Sequence, residues 1–283
     1  MLLAVLGLSF AGEWLPLGDS LAVFRTHIAA ITCGIAGIFV LSGGLRTSAV
    51  LAVFAVGSTA PLIVSSSTYG ALGPDTYTLY QKNLLKFGRT PQAIADDIKA
   101  FEPDFVTLQE LSTHNLHALE PTLAQFPNRV ICRSSEIRGV AMLTSHEIVE
   151  GTARCYSQLD LALAQVELGN KRIWVASVHL LWPFPYGQHK QARAIAAVIS
   201  QLEGDIVVSG DFNMVRGGAS VGRIERAANA RAAGENLTTY PRFRAFAPLA
   251  IDHVLVPANS SAIVERRPLL GSDHYGLLAQ FDI

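Results

Sequence analysis

Residues 206–215 of the sequence, IVVSGDFNMV, place polar groups directly after a run of residues typical of a buried strand. The run ends in Ser-Gly-Asp-Phe-Asn, so a carboxylate, Asp211, and an amide, Asn213, lie two residues apart. Alternation along an extended chain sends both side chains to the same side. Two oxygen-bearing groups that face one way fit poorly into a core. The stretch therefore predicts a functional site at the mouth of a sheet.

Segments on both sides of this stretch alternate between strand and helix patterns. Strands are predicted at TYTLYQKNLL, which ends near Asn83, and at DFVTLQEL, RVICRS, GVAMLTS, ALAQVEL, RIWVASVHL, DIVVSGDF, IDHVLV and YGLLAQFDI. RTPQAIADDIKAFEP predicts a helix with Thr90 as its cap and Pro91 in its first turn. GQHKQARAIAAVISQL predicts another, whose apolar stripe comprises Ala192, Ile195, Ala196 and Ile199. Many strands and few helices predict an α/β fold, a four-layer α/β/β/α sandwich of two packed sheets.

The amino-terminal quarter has a different composition from the rest of the chain. Half of all residues are hydrophobic and only 16% are charged. The charged residues up to position 67 are Glu13, Asp19, Arg25 and Arg46. Two uninterrupted apolar stretches, residues 27–44 and 47–64, are each about as long as a helix that crosses a bilayer. We expect two transmembrane helices there, and a third near residues 1–18 is left open.

These patterns divide the chain into a membrane anchor, residues 1–68, and a catalytic domain, residues 69–283. A cleaved signal peptide and a buried helical hairpin are the alternatives for the first part, but no basic region precedes the apolar segments. The second part carries 20 Lys and Arg against 21 Asp and Glu. This near-neutral balance shows no basic excess of the kind that tracks long nucleic acid.

The three cysteines, Cys33, Cys132 and Cys155, lack the paired spacing of a zinc site. Cys33 falls in a predicted membrane helix. Cys132 and Cys155 are either two unpaired core thiols or, if the domain faces an oxidising compartment, a disulfide.

Acids, amides and imidazoles stand at the ends of several predicted strands. They are Asn83, Gln109, Glu110, His179, Asp211, Asn213, Asp252, His253, Asp273 and His274. The motifs LQEL, SVHL with Pro183 after it, SGDFN, IDHVLV and GSDHYGL follow one another in the order found in the endonuclease/exonuclease/phosphatase superfamily, the metal-dependent phosphoesterases related to DNase I. The resemblance covers residues 78–283 and leaves the amino-terminal segment outside.

The resemblance implies a divalent metal and the residues that hold it. A hard cation held by carboxylates neutralises charge that develops on a phosphoester and stabilises the leaving oxygen. Glu110 resembles the principal metal ligand, with Asn83 beside it and Asp273 as a further candidate. Oxygen ligands without cysteine favour Mg²⁺ or Mn²⁺ over Zn²⁺.

The remaining site residues are expected to activate water and bind the phosphate. His274, oriented by Asp252, would serve as general base or as a phosphate-stabilising cation. Asp211 would orient the attacking water, Asn213 would donate to a phosphate oxygen, and His179 would stabilise charge on the phosphorane. The choice between Asp211 and His274 as the base stays open.

Other polar residues carry a structural interpretation. His253 points away from Asp252 and is expected to pack in the core. His114, His117, His146 and His189 are expected in solvated helices or loops, and Arg138 either reaches the substrate phosphate or forms a surface ion pair.

The expected function is a membrane-anchored, metal-dependent hydrolase of a phosphodiester or phosphomonoester, with a lipid head group or small phosphoester as substrate. A nuclease that acts on DNA or RNA with the same site is the alternative, and a non-catalytic membrane scaffold is the third. The lipid bilayer is the expected partner of the anchor, and no protein partner is inferred. Arg46 favours a cytoplasmic turn and hence a catalytic domain on the outer, periplasmic face of the inner or plasma membrane, whereas Arg25 argues the other way.

Overall fold

Two six-stranded sheets form the centre of the protein. A computed structural model describes residues 2–41, 72–73, 75–241 and 248–283. In chain order the strands are β1 (Thr76–Asn83), β2 (Phe105–Gln109), β3 (Asn128–Ser135), β4 (Arg138–Thr144), β5 (Arg154–Tyr156), β6 (Leu161–Leu168), β7 (Lys171–His179), β8 (Asp205–Asp211), β9 (Ala230–Ala232), β10 (Asp252–Pro257), β11 (Ala262–Arg267) and β12 (Gly276–Asp282). The first sheet has the order β11-β12-β1-β2-β4-β3 and the second β5-β6-β7-β8-β10-β9.

The structure describes seven α-helices, and the last four of them cover the outer faces of the two sheets. The seven are α1 (Leu2–Leu8), α2 (Pro16–Val23), α3 (Arg25–Leu41), α4 (Pro91–Phe101), α5 (Thr113–Leu123), α6 (Gln188–Ile199) and α7 (Ala219–Ala228). Buried residues of α4 and α5, such as Ile98 and Leu119, pack on the first sheet, and those of α6 and α7, such as Ile195 and Ile224, pack on the second. Residues such as Phe105 and Val207 fill the space between the sheets. The predicted four-layer sandwich of two packed sheets is therefore confirmed.

Each sheet contains one parallel strand pair near its middle, β1 with β2 and β7 with β8. Parallel neighbours end at the same edge of a sheet, so the residues that close these strands meet there. Asn83 lies opposite Gln109 in the first sheet, and His179 lies opposite Asp211 in the second. Antiparallel β10 begins at the same edge, with Asp252 opposite Asp211. Topology thus gathers the polar strand ends at one end of the sandwich.

Local details differ from the sequence predictions at several elements. Thr90 precedes α4 but does not cap it, because its hydroxyl donates to the carbonyl oxygen of Leu270 at 2.7 Å. The predicted stripe of α6 is buried as expected. Elements absent from the prediction are β5, β9, β11, α5 and α7. Of these, α5 has a weak apolar periodicity and contains Pro121, which explains why its pattern gave no signal.

The amino-terminal segment contains three helices among the described residues, and they do not by themselves confirm the predicted spans. Near residues 1–18 the chain builds α1, a turn and α2 instead of one helix, and α3 begins at Arg25. Among the described residues no single helix is both long and apolar enough to cross a bilayer. Helices α2 and α3, taken together from Pro16 to Ile38, are long and apolar enough by length and composition alone, but they are bent by 66° relative to each other. The second predicted span, residues 47–64, lies outside the described residues.

The amino-terminal segment also contacts the sandwich through polar groups, of which Asp19 and Arg25 are buried. The Asp19 carboxylate accepts from the backbone N–H groups of Ala219 and Ser220 at 2.6 and 3.1 Å and from the Ser220 hydroxyl at 2.7 Å, so it caps α7. The Arg25 guanidinium donates to the carbonyl oxygen of Gly217 at 3.1 Å. Glu13 pairs with two arginines of α7. These contacts fix the segment against the loop that leads from Asp211 into α7.

Cys132 and Cys155 form a disulfide in the structure, which decides between the two alternatives left open by the sequence. Cys132 lies on β3 of the first sheet and Cys155 on β5 of the second, with their Cα atoms 5.1 Å apart. The bond therefore ties together the two sheets at one edge. Cys33 has a free thiol.

Candidate active site

A cleft of about 410 Å³ opens where the central strands of both sheets end. Its walls include Glu110, Arg138, His179, Asp211, Asn213, Asp273 and His274. Six of the eight predicted site residues line this cleft. The seventh, Asn83, hydrogen-bonds Asp211 in its wall, and the eighth, Asp252, lies behind His274. The structure therefore brings the whole predicted set together.

His274 and Asp252 form a buried hydrogen-bonded pair. His274 Nδ1 lies 2.8 Å from Asp252 Oδ2, and the other carboxylate oxygen of Asp252 accepts from Gln81 Nε2 at 2.8 Å. The backbone N–H of Asp252 donates to the Thr239 hydroxyl at 3.1 Å. This arrangement fixes the ring and directs Nε2 towards the cleft, where it lies 3.7 Å from Asp211 Oδ2.

Opposite charges control the pKa of this histidine. Burial acts to lower the pKa of His274, but the carboxylates of Asp252 and Asp211 outweigh it and raise the pKa to about 9. The pKa of Asp252 is lowered, because its attraction to His274 and its hydrogen bonds exceed the effect of its burial. Near neutral pH the pair is therefore an imidazolium beside a carboxylate.

Asp211 is the most enclosed carboxylate of the cleft. It accepts from Asn83 Nδ2 at 2.9 Å and from the backbone N–H of Asn213 at 2.8 Å, and His179 Nε2 lies 3.6 Å away. Burial raises its pKa to about 6, with the nearby negative charge of Asp252 adding to the effect and the histidines opposing it. A carboxylate of this kind is ionised at neutral pH and still basic enough to accept a proton.

Glu110 and Asn83 form the oxygen-rich side of the cleft. Glu110 follows β2 with φ of 53°, and its Oε2 accepts from the backbone N–H of Lys86 at 2.9 Å. Asn83 Nδ2 lies 3.5 Å from Glu110 Oε1, so the amide stands between the carboxylates of Glu110 and Asp211. The carboxylate oxygens of Glu110 and Asp273 are hard donors suited to the Mg²⁺ or Mn²⁺ expected from the sequence. The Asn83 oxygen Oδ1 accepts from the backbone N–H of Leu85 at 3.0 Å, so this amide would have to turn before it could act as a ligand.

A second acidic group could also hold a cation. One ligand atom each from Asp211, Asp252 and His274 lies within 4.8 Å of the others. His274 Nδ1 is engaged with Asp252, however, and its raised pKa keeps a proton on the ring that a metal would have to displace. We therefore favour the Glu110 side for the metal.

Asn213 lies beyond the end of its strand, so the alternation of side chains along an extended chain does not set its direction. Strand β8 ends at Asp211, and Asn213 has a left-handed backbone with φ of 47°. Its side-chain amide donates to the carbonyl oxygen of Leu180 at 2.7 Å and lies 3.4 Å from Asp211 Oδ2. The amide is therefore engaged by protein atoms in this structure, and a hydrogen bond to a phosphate oxygen would have to replace one of them.

The prediction that His253 packs in the core is confirmed. It is buried, its Nε2 lies 2.8 Å from the carbonyl oxygen of Met214, and its ring centroid lies 5.4 Å from that of Phe212. Burial, together with the charge of Arg216, lowers its pKa to about 4. The histidine is therefore neutral at physiological pH.

Arg138 forms an ion pair, as one of its two interpretations predicts, although the partner carboxylate is buried. It lines the cleft, and its Nη2 pairs with the buried carboxylate of Asp160 at 2.5 Å. That pairing holds a cation in the wall of the cleft and engages only Nε and Nη2 of the guanidinium.

Sequence reasoning missed several residues that support the site. Gln81, Gln109 and Ser177 form a buried polar chain between the two sheets. Lys82 is fully buried, and its ammonium donates to the carbonyl oxygens of Pro268, Leu269 and His274 at 2.9, 3.0 and 2.7 Å. Burial lowers the pKa of Lys82 to about 7. The one sequence signal for Lys82 is the presence of a lysine in a strand whose pattern otherwise predicts burial.

Comparison with known proteins decides the family. The profile of the Endonuclease/Exonuclease/phosphatase family matches residues 81–274, more than half of the chain. The chain belongs to this family. Membership assigns the chain to a class of hydrolytic phosphoesterases and nucleases, and the Glu110 cleft is the place in this member where their divalent metals would fit. No curated protein gives a significant match to the sequence.

Solved structures of the Endonuclease/Exonuclease/phosphatase family share the fold. The family member from Bacteroides vulgatus superposes with a TM-score of 0.61 at 15% identity, over 74% of this chain and 99% of that one. TDP2 of D. rerio, solved with a single-strand DNA product, gives 0.59 at 17% identity over 74% and 99%. A mutant beta toxin of Staphylococcus aureus with bound magnesium ions gives 0.55 at 14% identity over 72% and 99%. Identities this low show the common fold and leave the substrate open.

Proposed function

We propose that the protein is a membrane-anchored, divalent-metal-dependent phosphoesterase that hydrolyses its substrate by attack of water. The observation that carries the proposal is the convergence in one cleft of a buried carboxylate, Asp211, a hydrogen-bonded imidazolium, His274, and an oxygen-rich metal side around Glu110. These are the groups that water activation and phosphate binding require.

Mg²⁺ or Mn²⁺ would be held by Glu110, with Asp273 as a further ligand. Asn83 would add its oxygen Oδ1 after releasing the backbone N–H of Leu85. When bound, such an ion neutralises charge on the phosphate and stabilises the leaving oxygen. Lys86 supports this side through its backbone hydrogen bond to Glu110, which fixes one carboxylate oxygen and leaves the other facing Asn83.

Asp211 would orient the attacking water and accept its proton. Its raised pKa and its position between Asn83 and His274 support this assignment over His274, which already carries a proton at neutral pH. His274 would stabilise charge on the phosphate through Nε2–H, and Asp252 would hold the ring in place. His179 would add a second imidazole donor, because its Nε2 faces the same carboxylate. Asn213 would bind a phosphate oxygen after releasing one protein partner.

Paired variants of the full-length chain test these assignments. Asp211→Asn and His274→Gln should each lower kcat on bis(4-nitrophenyl) phosphate by a factor of about 10² to 10⁴. Asp205→Asn, at the other end of β8, and His146→Gln, which pairs with Asp104 at 2.9 Å, are the matched controls and should retain activity. Equal activity of site and control variants would contradict the proposal.

A panel of candidate substrates is needed to identify the natural substrate, because the fold is compatible with several. Phospholipids, small phosphoesters, DNA and RNA should be compared under the same conditions. The near-neutral charge of residues 69–283 favours a lipid head group or small phosphoester. A preference for DNA or RNA would establish the nuclease alternative, and inactivity on all substrates with bound metal would favour a scaffold.

We also propose that residues 1–68 anchor the chain in the inner or plasma membrane, with the catalytic domain on the outer face. The apolar stretches at residues 27–44 and 47–64 support the anchor, and the Cys132–Cys155 disulfide supports an oxidising compartment for the domain. A reporter enzyme that is active only outside the cytoplasm, fused after Ile283, should be active. Activity of a cytoplasm-only reporter at that position would reverse the orientation.

A further inference from the structure

A second cavity, of about 350 Å³, lies beside the catalytic cleft. One wall comes from α2 and the residue after it, Val23 and Phe24, and the other from the segment that contains Phe184 and Tyr186. Among the described residues that line it, none carries a charge. We name it the apolar cavity. A space of this size and chemistry suits a hydrocarbon group.

The apolar cavity borders the cleft. Trp182, Tyr186 and Tyr240 line both spaces. The Tyr240 ring centroid lies 4.8 Å from that of His274, the imidazolium assigned to the phosphate. A phosphate bound at His274 would therefore carry one of its substituents directly to the mouth of the apolar cavity.

The wall contributed by α2 is fixed by specific contacts rather than by chance proximity. The Ser20 hydroxyl donates to the carbonyl oxygen of Phe184 at 2.8 Å, which joins the two walls. Asp19, one residue earlier, is buried and caps α7 with its carboxylate. The amino-terminal segment thus completes a cavity that the catalytic domain alone would leave open on that side.

Apolar groups around the cavity also face outwards. Phe184 and Tyr186, which line the cavity, are 52% and 65% exposed. Exposed aromatic side chains of this kind are enriched where a protein meets the interface of a bilayer. Their position indicates that the mouth of the apolar cavity is open towards a source of amphiphilic molecules.

We propose that the apolar cavity binds a hydrocarbon substituent of the phosphoester substrate, so the substrate is an amphiphile of the lipid phosphoester class. This inference rests on the proposed phosphoesterase function. A nucleobase fits less well, because its polar edges would remain unpaired against uncharged aliphatic and aromatic walls. In the reaction the oxygen of water bonds to phosphorus, the bond from phosphorus to the leaving oxygen breaks, and the leaving alkoxide receives a proton.

The test compares two diesters that differ only in their alkyl group. Ethyl and octyl 4-nitrophenyl phosphate have the same charge and leaving group. The full-length protein in nanodiscs should therefore distinguish them through binding of the alkyl chain, once partition into the lipid is matched between variants. Each methylene that enters the cavity contributes about 0.8 kcal/mol, about fourfold, so a chain that is only partly seated should still raise kcat/KM by about tenfold or more. Phe24→Ser and Phe184→Ser should remove most of this preference without altering the rate on the ethyl diester.

A matched control and a binding measurement complete the experiment. Ile263→Ser removes an exposed apolar side chain of β11 that does not line the cavity, and it should keep the wild-type preference. Partition of the octyl chain into the nanodisc is the same for every variant, so a preference lost only in the cavity variants is assigned to the cavity. Binding is read from tryptophan emission in a Trp14→Phe background, with octylphosphonate and ethylphosphonate as probes. The remaining tryptophans are Trp182, which lines the cavity, and Trp174, which is buried outside its lining and should give a constant signal. Octylphosphonate alone should shift the emission, and Phe184→Ser should abolish the shift.

Each outcome separates this inference from the proposed function. Equal kcat/KM for the two diesters without a fluorescence shift would overturn the apolar site and leave the phosphoesterase intact. Absence of hydrolysis together with an octylphosphonate shift would overturn the phosphoesterase and leave the apolar site. Faster hydrolysis of thymidine 4-nitrophenyl phosphate than of the octyl diester would overturn the inference in favour of a nucleic-acid substrate.

Discussion

Protonation of the buried His253 should make stability depend on pH in a way that one substitution removes. The ordinary pKa of histidine is about 6.5, whereas burial lowers that of His253 to about 4 in the folded protein. Between these values the unfolded chain binds a proton that the folded chain excludes. Stability from this residue is therefore complete above pH 6.5 and is lost as the pH falls towards 4.

The size of the effect follows from the difference between the two pKa values. A shift of about 2.5 units corresponds to about 3 kcal/mol, most of which is lost by pH 4.5. His253→Gln keeps a donor for the carbonyl oxygen of Met214, and His253→Phe keeps the aromatic packing on Phe212. Both variants lack the titrating ring. Each should be less stable than wild type at pH 7.5, and the gap should close by about 2 kcal/mol or more at pH 4.5.

Urea unfolding of the full-length chain at both pH values, followed by circular dichroism in one detergent, measures this gap. Because all other titrating groups are shared, the change in the gap isolates His253. A gap that is the same at pH 7.5 and pH 4.5 for both variants would refute the assignment of His253 as a neutral core residue.

Three further predictions concern groups that support the site. The double variant Cys132→Ser, Cys155→Ser should have a free energy of unfolding about 3 kcal/mol lower than that of the intact protein. Reductant should destabilise the intact protein and have no effect on the double variant. Lys82→Met removes the ammonium that donates to the carbonyl oxygens of residues 268, 269 and 274. The kcat should fall at least tenfold while the circular dichroism spectrum stays unchanged. Full activity would show that residues 268–274 need no such support. Asp19→Asn weakens the cap of α7 and should lower stability by about 1 to 2 kcal/mol, whereas Asp75→Asn, an exposed control, should not.

Much of the catalytic domain could be predicted because local patterns and tertiary structure agree there. Strand β1 ends at Asn83 as expected, and α6 buries the stripe that contains Ile195 and Ile199. The site residues follow strands whose apolar runs are long and clear, so their positions at strand ends could be located from the sequence. Their convergence then follows from the parallel pairs that bring strand ends to one edge.

The remaining features depend on contacts between distant parts of the chain. Asp19 caps a helix that begins two hundred residues later, and no local pattern indicates that partner. Thr90 resembles a helix cap, but its hydroxyl is drawn to Leu270 instead. Asn213 leaves the extended conformation, so alternation alone could not give its hydrogen bonds.

Hydrolysis of bis(4-nitrophenyl) phosphate by the full-length protein, with Mg²⁺, with EDTA and again after Mg²⁺ is restored, tests the central claim most directly. The account predicts turnover that EDTA abolishes and Mg²⁺ restores, and that is absent in Asp211→Asn and in Glu110→Gln, which retains the shape of the proposed metal ligand without its charge. Turnover that persists in EDTA, or that is equal in wild type and both variants, would contradict a metal-dependent phosphoesterase built on this cleft.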